Sequence, residues 1–332
     1  MVKYSHDKDF SVIKKYPVIS SYLRNVGFTY FRLLLMVRTD FRFMKTKPPT
    51  QGAIYCAVDA WSYLESAVIS AFALRQVSPK LPIIILSNIK KTGLQEQLSE
   101  LDIVIKPIVI PEKERLSHVM VSRLIKTSLH TFTEFDETLY LDADILPLKP
   151  IDEIWRFLEF ENIAMALDPY PTISQCCHID EVEKTYTLKT CAADSVHFNS
   201  GVMLWRNTSD AHTLFETWQK EWRIFKQQDQ LALCRAVQET KTKIAHLPST
   251  YNYPIPLLVN ISQIEDIEQI NKLKPDLPQL NDIKLVHCFK SITLYSQIFK
   301  EVARRLMPDA TEKALRCLKS ISECEFDVEL VS

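Results

Sequence analysis

The chain has 332 residues, 46% of them apolar and 10% aromatic, which is enough to bury a large core and too apolar for a disordered chain. Only 4 glycines occur in the whole sequence, and this excludes the glycine-rich phosphate loops of P-loop and dinucleotide-binding proteins. Lys plus Arg is 40 and Asp plus Glu is 41, so there is no broad basic surface and no nucleic-acid partner is expected.

The balance conceals an asymmetry. Residues 1–50 hold 10 Lys/Arg and 3 Asp/Glu, net +7, which leaves net −8 for the rest. This basic N-terminal arm interleaves Tyr, Phe and Leu with Arg24, Arg32, Arg38 and Arg42. That composition suits an amphipathic helix on an anionic membrane, and equally a helix packed on the main domain with its Arg residues in water. The opening MVKYSHDKDFSVIKKYP is charged throughout, unlike a signal peptide. The 8 cysteines therefore read as reduced thiols of a cytoplasmic protein, peripheral to a membrane at most. Residues 247–264 are uncharged but carry Pro248, Pro254 and Pro256, so they read as an irregular loop and not a membrane span.

After a linker, KTKPPTQG at 45–52, short apolar runs alternate with helical patterns. The expected strands are 53–58, 83–86, 103–105, 138–141 and 163–167. Helices are expected at 63–76, 92–101 and 119–132, with another opening near Ile151. Wholly apolar strands separated by helices predict an α/β fold, a mostly parallel sheet covered on both faces. The expected division is an arm at 1–50, one domain at 51–300 and a helical tail rich in Lys and Glu at 301–332. Ligands in such sheets bind beyond the carboxyl ends of the strands.

At one such end, LYLDADILP, the strand runs into Asp142 and Asp144. Two carboxylates leaving a buried strand together are costly unless a cation shares them, and oxygen ligands suit Mn²⁺ or Mg²⁺. The plainer alternative has one Asp capping a turn and the other solvated. A second D-x-D, Asp7 and Asp9, follows no strand. Next, HFNSGVMLW at 197–205 places Asn199 and Gly201 on a strand; in so glycine-poor a chain, Gly201 suggests close backbone approach by a ligand. Asp229 and Gln230 open a helix, as a cap or beside a polar ligand group. His287, in KLVHCF, ends a late strand that the α/β order carries to the same sheet edge as the two Asp. The connection between Asp168 and Phe198 is long enough for an acceptor site or lid. Its Cys176, Cys177, His178 and Cys191 lack the spacing of a zinc site.

The ordered set LYLDADILPLKPIDEIW, HFNSGVMLW, QQDQLAL, STYNYPI and LVHC, with AIYCAVDAWSYLESAVISA before it, resembles glycosyltransferase family 8. These are the retaining GT-A enzymes that include glycogenin and the lipooligosaccharide galactosyltransferases. The resemblance implies a GT-A domain and Mn²⁺-dependent hexose transfer with retention. The implied donor is a nucleotide diphosphate sugar such as a UDP-sugar, and the acceptor a glycan, a lipid-linked sugar or a protein. It assigns Asp142, Asp144 and His287 to the metal. It places Asp59, Arg123, Asp168 and Asn199 on the donor, and Asp229 with Gln230 beside the reacting carbon. After His287 the chain reads HCFKSITLY, without the family's glycine and lysine spacing, which leaves Lys290 as the residue to reach a phosphate. A noncatalytic sugar-nucleotide or glycan-binding protein of the same fold is the competing reading. A haloacid dehalogenase-type phosphohydrolase fits less well, since Ile145 follows the D-x-D and some 140 residues precede it.

Overall fold

The structure, a computed structural model, describes residues 49–90, 93–110, 116–177, 179–255, 282–288 and 296–322. The basic arm through residue 48, Lys290, His178, the later part of the loop expected at 247–264 and the last ten residues lie outside the described residues. Pro49–Ser332 cluster as one compact unit.

Alternation of side chains along buried strands builds the core. In β1 (Gln51–Cys56) and the residues after it, Ala53, Tyr55 and Ala57 enter one apolar cluster, while Ile54, Cys56 and Val58 enter the other. A strand with both faces buried must be apolar at every position, which is why AIYCAV shows no polar alternation. Against the first face pack α1 (Trp61–Val77) and the C-terminal helices α7 (Ser296–Leu306) and α8 (Pro308–Ser322), which contribute Phe299, Val302, Ala314 and Leu318. The second face is covered by α3 (His118–Lys126), α5 (Ser209–Phe225) and α6 (Asp229–Thr240), with Leu124, Phe215, Trp218 and Trp222 buried.

The main sheet has seven strands in the order β3-β2-β1-β4-β7-β6-β8. Here β2 is Ile83–Ser87, β3 Ile103–Pro107, β4 Glu137–Leu141, β6 Ile163–Thr172, β7 Val196–Arg206 and β8 Ala245–Leu247. Pairing is parallel except where β7 lies antiparallel between β4 and β6. Between β6 and β7 the register jumps: Met165 pairs with Met203 but Ala166 pairs with Asn199. Ser200, Gly201 and Val202 therefore have no partner on β6, and an irregularity of this kind re-aims side chains at a sheet end.

Two expectations change. The helix expected at 119–132 stops at Lys126, where the Thr127 and Ser128 hydroxyls bond back to the Leu124 and Ile125 carbonyls, and a short 3-10 turn follows at Leu129–Thr131. The late strand, β10 (Leu285–His287), is not in the main sheet. It forms a second sheet with β5 (Ile145–Pro147) and β9 (Tyr253–Pro254). Because β5 begins directly after Asp144, this small sheet is what carries His287 to the D-x-D, with His287 opposite Ile145.

Candidate functional site

Asp142 and Asp144 form the turn between β4 and β5, and the backbone clamps it on both sides. The Asp142 N–H donates to the Gly201 carbonyl at 2.8 Å, and the Cys288 N–H donates to the Asp144 carbonyl at 2.9 Å. These two bonds fix the backbone of the turn that carries both carboxylates. His287 Nε2 lies 3.3 Å from Asp144 Oδ1. One ligand atom from each of Asp142, Asp144 and His287 falls within 4.8 Å of the others, and this is the only such group among the described residues. Two carboxylates with one imidazole match the donor set of Mn²⁺, or of Mg²⁺ with less preference for the nitrogen, so the residues fit a divalent cation.

Gly201 has a reason within the protein itself. A Cβ there would stand 2.4 Å from His287 Cε1 and 2.9 Å from Nδ1. Only a glycine at this position leaves the imidazole ring room beside the D-x-D.

Asp229 stands at the start of α6 and is buried, with 5% of its surface exposed. Ser200 Oγ donates to its Oδ2 at 2.6 Å, Lys126 Nζ lies at 3.6 Å and Arg123 Nε at 3.7 Å. Burial pushes the Asp229 carboxyl up, but Lys126, Arg123 and the Ser200 hydroxyl outweigh it and hold the group below its ordinary 3.8. Asp229 is thus a locked carboxylate and not merely a helix cap. Arg123 also donates to the Gln227 carbonyl at 2.8 Å, which fixes α3 to the turn before α6.

The sequence reading missed Lys126. Its ammonium is buried, 2.7 Å from Asp142 Oδ1, and it bridges to Asp229. Tyr140 donates to the same Asp142 oxygen at 2.5 Å. The available signal was the spacing of Arg123 and Lys126, three apart and hence on one face of the helix preceding the D-x-D. Tyr63 on α1 is a second omission. Burial pushes its phenol up to about 12; Arg123 pulls it down, and Asp144 and Asp142 add to the rise, which places it within electrostatic reach of the same cluster.

Gln230 and Asp168 meet directly. Gln230 Nε2 donates to Asp168 Oδ2 at 2.8 Å and to the Phe198 carbonyl at 3.0 Å, with His197 Nε2 at 3.4 Å. A backbone carbonyl only accepts, so the Gln230 atom facing it is the nitrogen. The Gln230 carbonyl oxygen therefore lies on the other arm of the amide, directed away from all three partners. Asp168 is held in turn by Asn199 Nδ2 at 3.1 Å and by the Tyr170 N–H at 2.9 Å. The sequence-predicted Asp168, Asn199, Asp229 and Gln230 are thus brought together around β7, and Asp142, Asp144 and His287 around β5.

Asp59 lies at the end of β1, apart from these pairings. It adopts a left-handed φ of 62° and is held by Asn88, whose side chain accepts from its N–H at 2.9 Å and donates to its carboxylate at 2.6 Å. Cys176 and Cys191 are buried with Cys234 in a small apolar cluster, and Cys177 is exposed. No helix among the described residues is long and apolar enough to cross a membrane.

The sequence model described as Glycosyl transferase family 8 matches residues 53–289. Among solved structures, the apo form of the bifunctional glycosyltransferase WbbM is similar at a TM-score of 0.52 and 13% identity, over 82% of this chain and 52% of that one. Apo GlyE, a glycosyltransferase of Streptococcus pneumoniae TIGR4, is similar at a TM-score of 0.50 and 15% identity, over 82% of this chain and 64% of that one. The chain thus spans about half to two thirds of these two relatives, and at such identity the likeness shows the shared fold. No match is found among curated proteins. The mostly parallel seven-stranded sheet flanked by helices is the GT-A arrangement, and with most of its length matched by the family's sequence model, the chain belongs to glycosyltransferase family 8.

Proposed function

We propose that this glycosyltransferase moves a hexose from a UDP-sugar to a glycan, lipid-linked or protein acceptor hydroxyl, with retention at the anomeric carbon and with Mn²⁺ as its cofactor. The observation that carries the reading is the convergence of Asp142, Asp144 and His287 on one point, with the Asp229–Gln230 pair joined to Asp142 through Lys126. Asp142, Asp144 and His287 would hold the cation. When bound, it supplies Lewis-acid stabilisation of the departing diphosphate charge. The protein's own part is electrostatic and orienting. Lys126 holds Asp142 and Asp229 in place and favours the ionised form of Asp229. Asp168 and the Phe198 carbonyl hold the Gln230 amide so that its carbonyl oxygen is the atom offered to a ligand. An oxygen so fixed stabilises positive charge developing at a sugar carbon and costs no reorganisation during the reaction. Asp59, Arg123, Asn199 and Lys290 complete the proposed donor site, and residues 1–45 supply peripheral contact with anionic lipid.

The test is a panel of nucleotide sugars assayed for nucleotide release with and without Mn²⁺. Release from a UDP-hexose that stops on chelation and returns with Mn²⁺ supports the reading. Donor binding without release under any acceptor condition would convert it to a noncatalytic sugar-nucleotide binder.

A further inference from the structure

Beneath the metal-ligand cluster runs a chain of buried amides whose orientation can be fixed from one unambiguous end. The Gly201 backbone N–H can only donate, and it meets Asn199 at 2.9 Å, so the Asn199 atom there is Oδ1. The same oxygen accepts from Asn252 at 2.9 Å, so the Asn252 atom facing it is Nδ2. The other arm of Asn252, its Oδ1, then lies 2.9 Å from His287 Nδ1. An amide oxygen cannot donate, and His287 Nδ1 must carry the proton. Its Nε2, on the far side of the ring, is left facing Asp144 Oδ1 at 3.3 Å. Asn199, Asn252 and His287 are each about 4% exposed, so water does not offer the ring an alternative partner.

We infer that Asn252 is a positioning residue: it sets the His287 tautomer, with the proton on Nδ1 and the lone pair of Nε2 toward Asp142 and Asp144. Nothing in the D-x-D itself does this. An isolated neutral histidine ring can carry its proton on Nε2, and with the proton there it cannot ligate a cation through that atom. Partners of this kind on the second ring nitrogen typically alter metal affinity about 10- to 100-fold. Asn252 sits in the short turn between the 3-10 helix Ser249–Tyr251 and β9, and β9 pairs with β10. The small second sheet therefore supplies both the ligand and the residue that orients it. The relay continues beyond Asn199 to Asp168 and Gln230, so Asn199, the partner of the amide that orients the ring, shares Asp168 with the amide proposed to face the sugar.

The tautomer follows from the hydrogen bonds alone; its consequence for metal rests on the proposed cation site, and the test separates the two. Long-range ¹H–¹⁵N spectra of metal-free, histidine-labelled protein, with His287 assigned by a His287→Gln variant, read the tautomer directly. Titration of the same protein with Mn²⁺ alone, followed by calorimetry, reads the affinity. The wild type is expected to show a protonated Nδ1. Asn252→Leu is expected to lose that uniform pattern and to bind Mn²⁺ about 10- to 100-fold more weakly. Asn252→Asp keeps an acceptor for the Nδ1 proton and is expected to keep that proton in place, while setting a carboxylate oxygen against Asn199 Oδ1. An Nδ1 without its proton in the wild type overturns the inference even if the Leu variant fails to fold. So does a folded Leu variant with wild-type Mn²⁺ affinity, or an Asp variant that loses the Nδ1 proton. A wild type with the expected tautomer that binds no Mn²⁺ sinks the cation site and leaves Asn252 as the residue that orients His287.

Discussion

Two regions of this molecule bury charge, and they arrange it differently. At the seam of α4 (Glu181–Thr187), α5 and α6, Arg235 is enclosed by the Glu221 carboxylate at 2.7 Å, Glu183 at 3.2 Å and the Thr187 hydroxyl at 2.7 Å. The rings of Tyr186 and Phe225 also lie within 5.5 Å of its guanidinium. At the sheet end, Lys126 and Arg123 serve Asp142 and Asp229, while Asp144 has only His287 as a charged or chargeable partner among the described residues. Each cluster has one more carboxylate than cation, and the first leaves Glu183 Oε2 buried without a hydrogen-bond partner; in the second the surplus carboxylate, Asp144, converges with Asp142 and His287 on one point. Burial of ionisable groups therefore does not mark the site, since both regions have it. What marks the site is the convergence of two carboxylates and an imidazole on one point.

The largest effect that would sharpen this comparison is loss of activity on touching the sheet-end cluster. Asp144→Asn keeps the side-chain size and removes one charge, and turnover should fall about 10²- to 10³-fold while thermal unfolding stays near wild type. Undiminished turnover in the variant, or in excess EDTA, would place Asp144 in the scaffold instead.

Arg235→Leu should do the reverse. It leaves Glu183 and Glu221 buried without their cation, at a cost of about 3 to 5 kcal/mol. That corresponds to a drop in Tm of roughly 10 °C, with kcat/KM per folded molecule unchanged. A variant of wild-type stability and lowered kcat/KM would mean that the seam belongs to the active machinery.

Gly201→Ala tests the contact between the two sheets. The new methyl meets the His287 ring, so overpacking should cost about 1 to 3 kcal/mol, and Mn²⁺ affinity should fall because the ring must move. Unaltered Mn²⁺ binding by calorimetry would show that the imidazole is not a ligand.

The smallest effects are in the pH dependence of stability, and they differ in sign. Asp229 titrates below its ordinary 3.8 in the folded chain, so as pH falls the unfolded chain takes up the proton first. Its ionised form contributes stability that is present above about pH 4 and lost as pH falls through the lowered folded value. Asp229→Asn should make the acid limb of the stability curve shallower. Glu183 is raised by burial, against the pull of Arg235, so its ionised form lowers stability at neutral pH and protonation relieves this. Glu183→Gln removes that buried charge and leaves Glu221 paired to Arg235, so neutral stability should stay the same or rise. Urea denaturation of the two variants from acid to neutral pH should show the opposite slopes; like slopes would remove the distinction between the regions.

Much was legible in the sequence because short-range physics wrote it there. Apolar runs such as AIYCAV and LYL can only be strands buried on both faces, and that pattern determined the α/β class and the strand order along the chain. Asp142, Asp144, Asp229 and Gln230 were visible because each stands where a strand or helix begins or ends, and polar groups at such places need a reason. Three features were decided only by tertiary structure. His287 reaches the D-x-D through pairing between residues 140 positions apart, in a sheet of two- and three-residue strands that leaves no periodic trace. Gly201 is a glycine because a histidine ring from that second sheet rests on it. Lys126 and Asn252 look like ordinary polar residues of a helix and a turn until folding removes their water. A buried donor or acceptor then has to find a partner in the surrounding structure, and which partner it finds depends on how distant segments pack and not on its neighbours along the chain.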